Sequence, residues 1–406
     1  MESSTQQQTR YEQAIGGETW PCALVDLDAF ERNARTIARL AGERRKKLRV
    51  ATKSVRVPDL LRRILALAPG SGLMTYTAQE TAFLHTLGFD DLLLAYPIAR
   101  PADAALLARL AAAKAESSVV VDDVAHLEML DAAARAACVT IDVVVEVDLA
   151  FRPLGSRLHL GVRRSPLRTA PDVLAFVDRI AGCTNLRFRG IMGYEAQVAG
   201  LGDDIPGGLG ARVRSAAGRA MKARSQAAIA ELRQSIGAAL AGAGLNPHIV
   251  NGGGTGSLAW SREDPTLTEI TAGSGFLCSH LFDRYRDVRL EPACYFVLPV
   301  VRIPGPGLVT CLGGGYAASG QAGVDRLPVP SLPVGLSLLD LEGAGEVQTP
   351  VRLAPGVRLR VGDPVFFRHA KAGELAEHFG EYLLVRGDEI EGRAPTYRGL
   401  GKAFLG

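Results

Sequence analysis

Between residues 48 and 272 the chain repeats one unit eight times: a short apolar run, then a stretch of helical periodicity or a loop leading to the next run. The runs are 48–52 (LRVAT), 71–76 (SGLMTY), 91–96 (DLLLAY), 117–122 (SSVVVD), 142–148 (DVVVEVD), 187–193 (RFRGIMG), 248–252 (HIVNG) and 268–272 (TEITA). Near-continuous apolar runs describe strands covered on both faces, as in a parallel sheet whose crossovers are helices. Helical stretches at 57–68, 77–87, 101–115, 124–137, 171–181 and 212–240 supply such crossovers. Five or six units would leave an open sheet, whereas eight close into a barrel. The expected fold class is α/β, a (β/α)8 barrel of the TIM type.

A barrel takes about 250 residues, so a chain of 406 has room for a second domain. Beyond residue 288 the helical periodicity fades and Pro and Gly rise (PGPG at 304–307, GGG at 313–315). Short alternating runs appear there, VRLRV at 357–361 and PVFF at 364–367. Residues 19–288 are thus expected to form the barrel and 289–406 a smaller, mostly β domain, which the N-terminal segment is a candidate to join. The polar residues 1–18 are expected to be flexible. Segment 24–27 leads into a helix with Asp28 as the expected N-cap and Glu31 at capping-box spacing.

Composition removes several classes of function. With 47% hydrophobic and 22% charged residues, the chain is not disordered in bulk. Forty-six basic against 43 acidic side chains, a net +3, is too balanced to imply a nucleic-acid or membrane partner. No stretch reaches the roughly 18 apolar residues of a membrane span. The six cysteines (22, 138, 183, 278, 294 and 311) form no CxxC pair and no zinc-spaced cluster. Buried, reduced thiols and a cytoplasmic location are the expectation, and the first twenty residues carry no signal-peptide pattern.

Chemistry in such a barrel sits at the C-terminal ends of the strands, and the loops after strands seven and eight commonly hold a phosphate. Those loops read Asn251-Gly252-Gly253-Gly254-Thr255-Gly256-Ser257 and Ala272-Gly273-Ser274-Gly275. Glycine lets backbone N–H groups approach an anion, and Thr or Ser adds a hydroxyl donor. One such loop could be a plain turn; two in the two expected places point to a phosphate. Lys53 ends the first strand, where its amine faces the barrel mouth. A Schiff-base amine opposite a phosphate suggests pyridoxal 5′-phosphate, the rival being a phosphorylated sugar in a lysine aldolase.

The ordered set PCALVDLDAFERNARTIARL, ATKS, YTAQETAFLHTLGFDDLLLAYP, EVDL, GYE, NGGGTGS and TEITAGSG resembles the barrel of the fold-type III pyridoxal phosphate enzymes. The branch it is most similar to is that of D-threonine aldolase and D-serine dehydratase, with alanine racemase more distant. The resemblance implies Lys53 as the Schiff-base lysine, a phosphate cradle of Gly254, Thr255 and Gly256 with Gly273, Ser274 and Gly275, and Tyr194 and Asn251 lining the cofactor pocket. It also implies a homodimer with the active site at the domain and subunit junction.

Two departures from the family pattern stand out. Where the family places an arginine two residues before Gly-Val, this chain has His159, with Arg157 nearby, so the group touching the cofactor ring is one of the two. The family's C-terminal His-x-Asp or His-x-Cys pair, which binds a divalent metal, is here His369-Ala370-Lys371. A protonated lysine is no metal ligand, so the metal is expected to be absent or weakly held. Lys371 would then take the cation's place while His369 takes a proton from the substrate β-hydroxyl.

The implied reaction is retro-aldol cleavage, or its reverse, of a β-hydroxy-α-amino acid of D configuration, giving a small amino acid and an aldehyde. The alternatives are a D-hydroxyamino acid dehydratase, an amino acid racemase, and a non-catalytic pyridoxal phosphate carrier. A carrier needs only the barrel, so the second domain counts against it.

Overall fold

The computed structural model describes residues 3–405. The chain opens with helix α1 (Ser4–Ile15), strand β1 (Cys22–Asp26) and helix α2 (Leu27–Gly42). Eight parallel strands follow: β2 (Lys47–Ala51), β3 (Gly72–Thr75), β4 (Leu92–Leu94), β5 (Ser117–Val121), β6 (Ile141–Glu146), β7 (Leu186–Met192), β8 (Ile249–Gly252) and β9 (Glu269–Ala272). They form the expected closed barrel, because β9 pairs back onto β2. Between them run α3 (Pro58–Leu67), α4 (Ala78–Thr86), α5 (Pro101–Ala112), α6 (Val124–Ala136), α7 (Ala170–Ala181), the short α8 (Ala196–Ala199), the long α9 (Leu209–Gly242) and the short α10 (Leu258–Ser261).

The unbroken apolar runs have a direct cause. Leu93, Val120, Val144, Met192 and Ile249 point inward and fill the barrel as one buried cluster. Their neighbours Leu92, Leu94, Val119, Val121, Val143 and Val145 pack outward in the core shared with the helices. Successive residues of a strand face opposite sides, so a strand buried on both must be apolar throughout.

The remaining strands are β10 (Cys294–Gly305), β11 (Leu308–Leu312), β12 (Val329–Leu332), β13 (Leu336–Leu338), β14 (Gln348–Leu353), β15 (Pro364–Arg368), β16 (Glu381–Arg386) and β17 (Glu389–Pro395). They form the separate, mostly β sheet, in the order β13-β14-β11-β10-β1-β16-β17 with β15 and β12 branching from β10. The first strand of the chain lies inside this sheet, antiparallel to β10 and parallel to β16.

The N-terminus differs from the expectation of flexibility. Helix α1 carries a capping box between Ser3 and Gln6, and its few large apolar side chains, Tyr11 and Ile15, are fully buried. Tyr11 and Arg10 both donate to Asp26, each at 2.7 Å. The N-cap of α2 is therefore Asp26, which accepts from Ala29 N–H, and not Asp28. Asp28 instead pairs with Arg386 of β16 at 3.1 Å. Burial pushes the Asp26 carboxyl up, but the hydrogen bonds from Ala29, Arg10 and Tyr11 outweigh it and hold it below the usual range.

Helix α11 (Ala372–Leu375), just after β15, rests on the turn that follows β2 and so brings the β domain to the mouth of the barrel. Among the cysteines, Cys278, Cys294 and Cys311 are buried while Cys138 is exposed, so burial is not general to them. Among the described residues no helix is long and apolar enough to cross a membrane.

Candidate active site

A pocket of about 610 Å³ opens at the C-terminal ends of the barrel strands. One wall is the 3-10 turn Thr52–Ser54, which carries Lys53 directly off β2. The turn is held in place by Arg56 Nε, which donates to the Lys53 carbonyl at 3.0 Å. Lys53 Nζ donates to the Tyr96 hydroxyl at 2.8 Å. Tyr96 stands two residues past β4. Arg164 lies against it, its guanidinium carbon 5.3 Å from the Tyr96 ring centre and 5.3 Å from that of Tyr194. Behind Arg164, at 3.4 Å, is Glu146 at the end of β6. Burial pushes the Glu146 carboxyl up to about 7, against the opposing pull of Arg164.

The facing wall is the pair of glycine loops. Thr255 Oγ1 ties them together, accepting from Gly275 N–H at 3.0 Å and from Gly273 N–H at 3.4 Å. Gly256 has no room for a side chain: a Cβ there would lie 2.0 Å from the Ala199 carbonyl oxygen. That oxygen also accepts from the Tyr285 hydroxyl at 3.0 Å. Asn251 is oriented from below, donating to Glu269 at 3.2 Å and accepting from Thr271 at 3.0 Å. Glu269 is in turn held by the fully buried Arg49 at 2.5 and 2.6 Å.

Of the residues singled out from the sequence, Lys53, Tyr194, Asn251, Gly254, Thr255, Gly273 and Ser274 line this pocket. Gly256 and Gly275 stand in the same loops, directly beside Tyr285 and Thr255. Arg157 and His159 do not reach it. A two-residue bridge between Phe151 and Leu160 folds their segment into an outward finger, with Arg157 exposed in the turn and the His159 ring 3.3 Å from the Val162 carbonyl. The arginine in the pocket is Arg164, two residues after Gly161-Val162 and not two before.

His369 and Lys371 line a smaller neighbouring cavity with Glu374 and His378. His369 is 3% exposed, and burial, with Arg368 and His280 adding repulsion, pushes its imidazole down to about 3. Lys371 Nζ donates to the carbonyl and hydroxyl of Ser319 at 2.7 and 3.1 Å. Burial pulls its ammonium below the usual lysine range, with Glu374 opposing. Among the described residues no three His, Cys, Asp or Glu side chains come together as a metal-binding group.

Tyr96, Arg164 and Glu195 were not found from the sequence. Tyr96 carried a signal, since it ends DLLLAY just as Lys53 ends its own strand. Glu195, in GYE beside Tyr194, is fully buried and holds the first glycine loop from behind.

The family model described as alanine racemase, N-terminal domain, matches residues 25–276. The chain belongs to this family. As a member of the alanine racemase N-terminal domain family it is 28% identical over 315 residues to a 3-hydroxy-D-aspartate aldolase of Paracoccus denitrificans, covering 75% of this chain and 74% of that one. It is also 28% identical over 254 residues to a D-threonine aldolase of Arthrobacter sp., covering 63% and 60%. The crystal structure of D-threonine aldolase from Filomicrobium marinum shares the fold at a TM-score of 0.80 and 23% identity, over 94% of this chain and 95% of that one. D-threo-3-hydroxyaspartate dehydratase from Delftia sp. HT23 does so at 0.76 and 19%, over 94% and 98%. The fold-type III family recognised in the sequence is thus the family of the chain, and pyridoxal phosphate is the cofactor it implies.

Proposed function

We propose that this protein is a pyridoxal phosphate-dependent lyase that cleaves the Cα–Cβ bond of a β-hydroxy-α-amino acid of D configuration, releasing a small amino acid and an aldehyde. One arrangement carries the reading: the Lys53 amine, hydrogen-bonded to a half-buried phenol, faces two glycine loops joined by the Thr255 hydroxyl across a single pocket. Those residues fit the cofactor, because an amine and an anion cradle of glycines with small hydroxyl side chains are what an aldehyde and a phosphate on one ring require. The relatives named as aldolases of D-amino acids support the reaction class.

When bound, pyridoxal phosphate supplies an aldehyde that captures amines and an electron-poor ring that takes up the electron pair of a bond broken at Cα. Lys53 would hold the aldehyde end. Gly254, Thr255, Gly256, Gly273, Ser274 and Gly275 would hold the phosphate, and Tyr194, Asn251 and Arg164 would border the ring. Lys371 would take the place of the cation, and His369, whose two buried ring nitrogens have no hydrogen-bond partner among the described residues, would be the acceptor of the β-hydroxyl proton. The donor set does not fit a divalent metal, since Lys371 Nζ already donates to the Ser319 carbonyl and hydroxyl and a lone imidazole, His369, makes a weak site. A cytoplasmic location and a homodimer complete the proposal. The six free cysteines support the first, and the exposure of Lys53 at the open mouth, which a second subunit would shield, supports the second.

Absorbance spectra of the purified protein and of Lys53→Ala test the cofactor. Addition of D-threonine, D-serine and D-3-hydroxyaspartate, with and without a chelator, tests the chemistry. Aldehyde release that survives the chelator is expected; ammonia release in its place would make the protein a dehydratase. A wild type that stays colourless after addition of pyridoxal phosphate would remove the whole reading.

A further inference from the structure

Lys53 has a partner whose role the family assignment does not state. Any amine that attacks a carbonyl carbon must first be neutral, yet lysine is protonated at neutral pH. The proton therefore needs an acceptor within hydrogen-bond reach. Lys53 Nζ donates to the Tyr96 hydroxyl at 2.8 Å. Tyr96 lines the pocket and sits between two cations, Lys53 at its oxygen and Arg164 at 5.3 Å from its ring centre. Arg164 is also stacked on Tyr194 and backed by Glu146, so it is fixed in place beside the phenol.

We propose that Tyr96 is a catalytic residue, the proton carrier of Lys53: with its phenol ionised, the Tyr96 oxygen takes the proton that the ammonium must lose before its nitrogen attacks. In this step one Nζ–H bond breaks, its electron pair stays on nitrogen, and one O–H bond forms on the phenolate. Ammonium and phenolate become amine and phenol, so no charge leaves the pair and no other reactant is needed. The same transfer in reverse returns the proton when Lys53 is displaced. The electrostatics run in the required direction. Burial by itself would push the phenol up, but Lys53 and Arg164 outweigh it and bring Tyr96 below the usual tyrosine range. The proposal rests on the reading of Lys53 as the residue that captures pyridoxal phosphate.

The test compares wild type with Tyr96→Phe, both stripped of cofactor, from neutral to alkaline pH. The first readout is the rate of pyridoxal phosphate capture, followed by absorbance. The second is the affinity for pyridoxamine 5′-phosphate, which has the same ring and phosphate but no aldehyde. The variant is expected to capture pyridoxal phosphate at least about tenfold more slowly at neutral pH. That deficit closes at alkaline pH, where hydroxide can accept the proton in place of Tyr96, and affinity for the amine form does not change. Equal capture rates and pH profiles would overturn the proposal. So would a parallel loss of both ligands, because Tyr96 would then be packing the pocket. A wild type that captures no pyridoxal phosphate, yet is folded, would strike the cofactor reading itself and this inference with it.

Discussion

Glu195 accepts the backbone N–H of Gly253 at 3.0 Å, so the carboxylate next to Tyr194 holds the loop after β8 from behind. The same carboxylate accepts from Ser261 at 2.6 Å and from Arg233 at 2.9 Å. Arg233 also reaches Asp264 at 3.0 Å. Breaking one side of such a buried pair costs about 3–5 kcal/mol. Because Asp264 remains on Arg233, Glu195→Ala should fall near the lower end, about 3 kcal/mol in urea unfolding, with weakened pyridoxal phosphate affinity. Glu195→Gln should recover part of both, since an amide oxygen can still accept from Gly253. A loss within about 0.5 kcal/mol, the size of an ordinary surface change, would show that the clamp carries little.

The displacement of the arginine can be checked directly. Arg164→Leu removes the cation shared by Tyr96 and Tyr194, and should lower cofactor affinity and cleavage at least about tenfold. Arg157→Ala and His159→Ala, on the outward finger, should stay within about twofold of wild type. If a finger variant fails as Arg164→Leu does, the finger folds into the pocket during turnover and the static placement misleads.

A pH effect on stability follows from Glu80, which is fully buried below the Lys53 turn. It accepts from Tyr76 N–H at 2.8 Å and from the Tyr397 hydroxyl at 2.9 Å. Burial, opposed by these bonds, pushes its carboxyl up to about 7. The folded state thus holds the proton more tightly than the unfolded chain, whose glutamate titrates near 4.3. The stability tied to that proton is fully present below the unfolded value and is lost as pH rises through about 7. Unfolding free energies of wild type and Glu80→Gln across that window should diverge, with wild type falling more steeply. Parallel curves would mean that Glu80 is already ionised at the lower pH.

Gly373, in α11, presses on the Lys53 turn so closely that a Cβ there would lie 1.6 Å from the Lys53 carbonyl oxygen. Gly373→Ala must therefore move either α11 or the lysine. Cofactor capture should fall by an order of magnitude while the barrel's circular dichroism is retained. Unchanged capture would show that the C-terminal domain can retreat without disturbing Lys53.

What could be read in the sequence follows from local rules. A parallel strand buried on both faces has to be apolar along its length, so the eight strands of the barrel were visible. Lys53 and the two glycine loops were visible because a residue at the C-terminal end of a barrel strand faces the mouth. The N-terminal helix escaped because its surface is polar and its order comes from two side chains, Tyr11 and Ile15, buried against Tyr295, Val297 and Phe366, strand residues at least 280 positions later. Arg164 escaped because its place depends on the Phe151–Leu160 bridge, which turns Arg157 and His159 outward and leaves a later arginine to enter the pocket. The hydrogen bond from Lys53 to Tyr96 joins strands 43 residues apart. Periodicity and motif report what one segment needs from its surroundings; which side chain answers that need is decided only when barrel closure brings distant strand ends together.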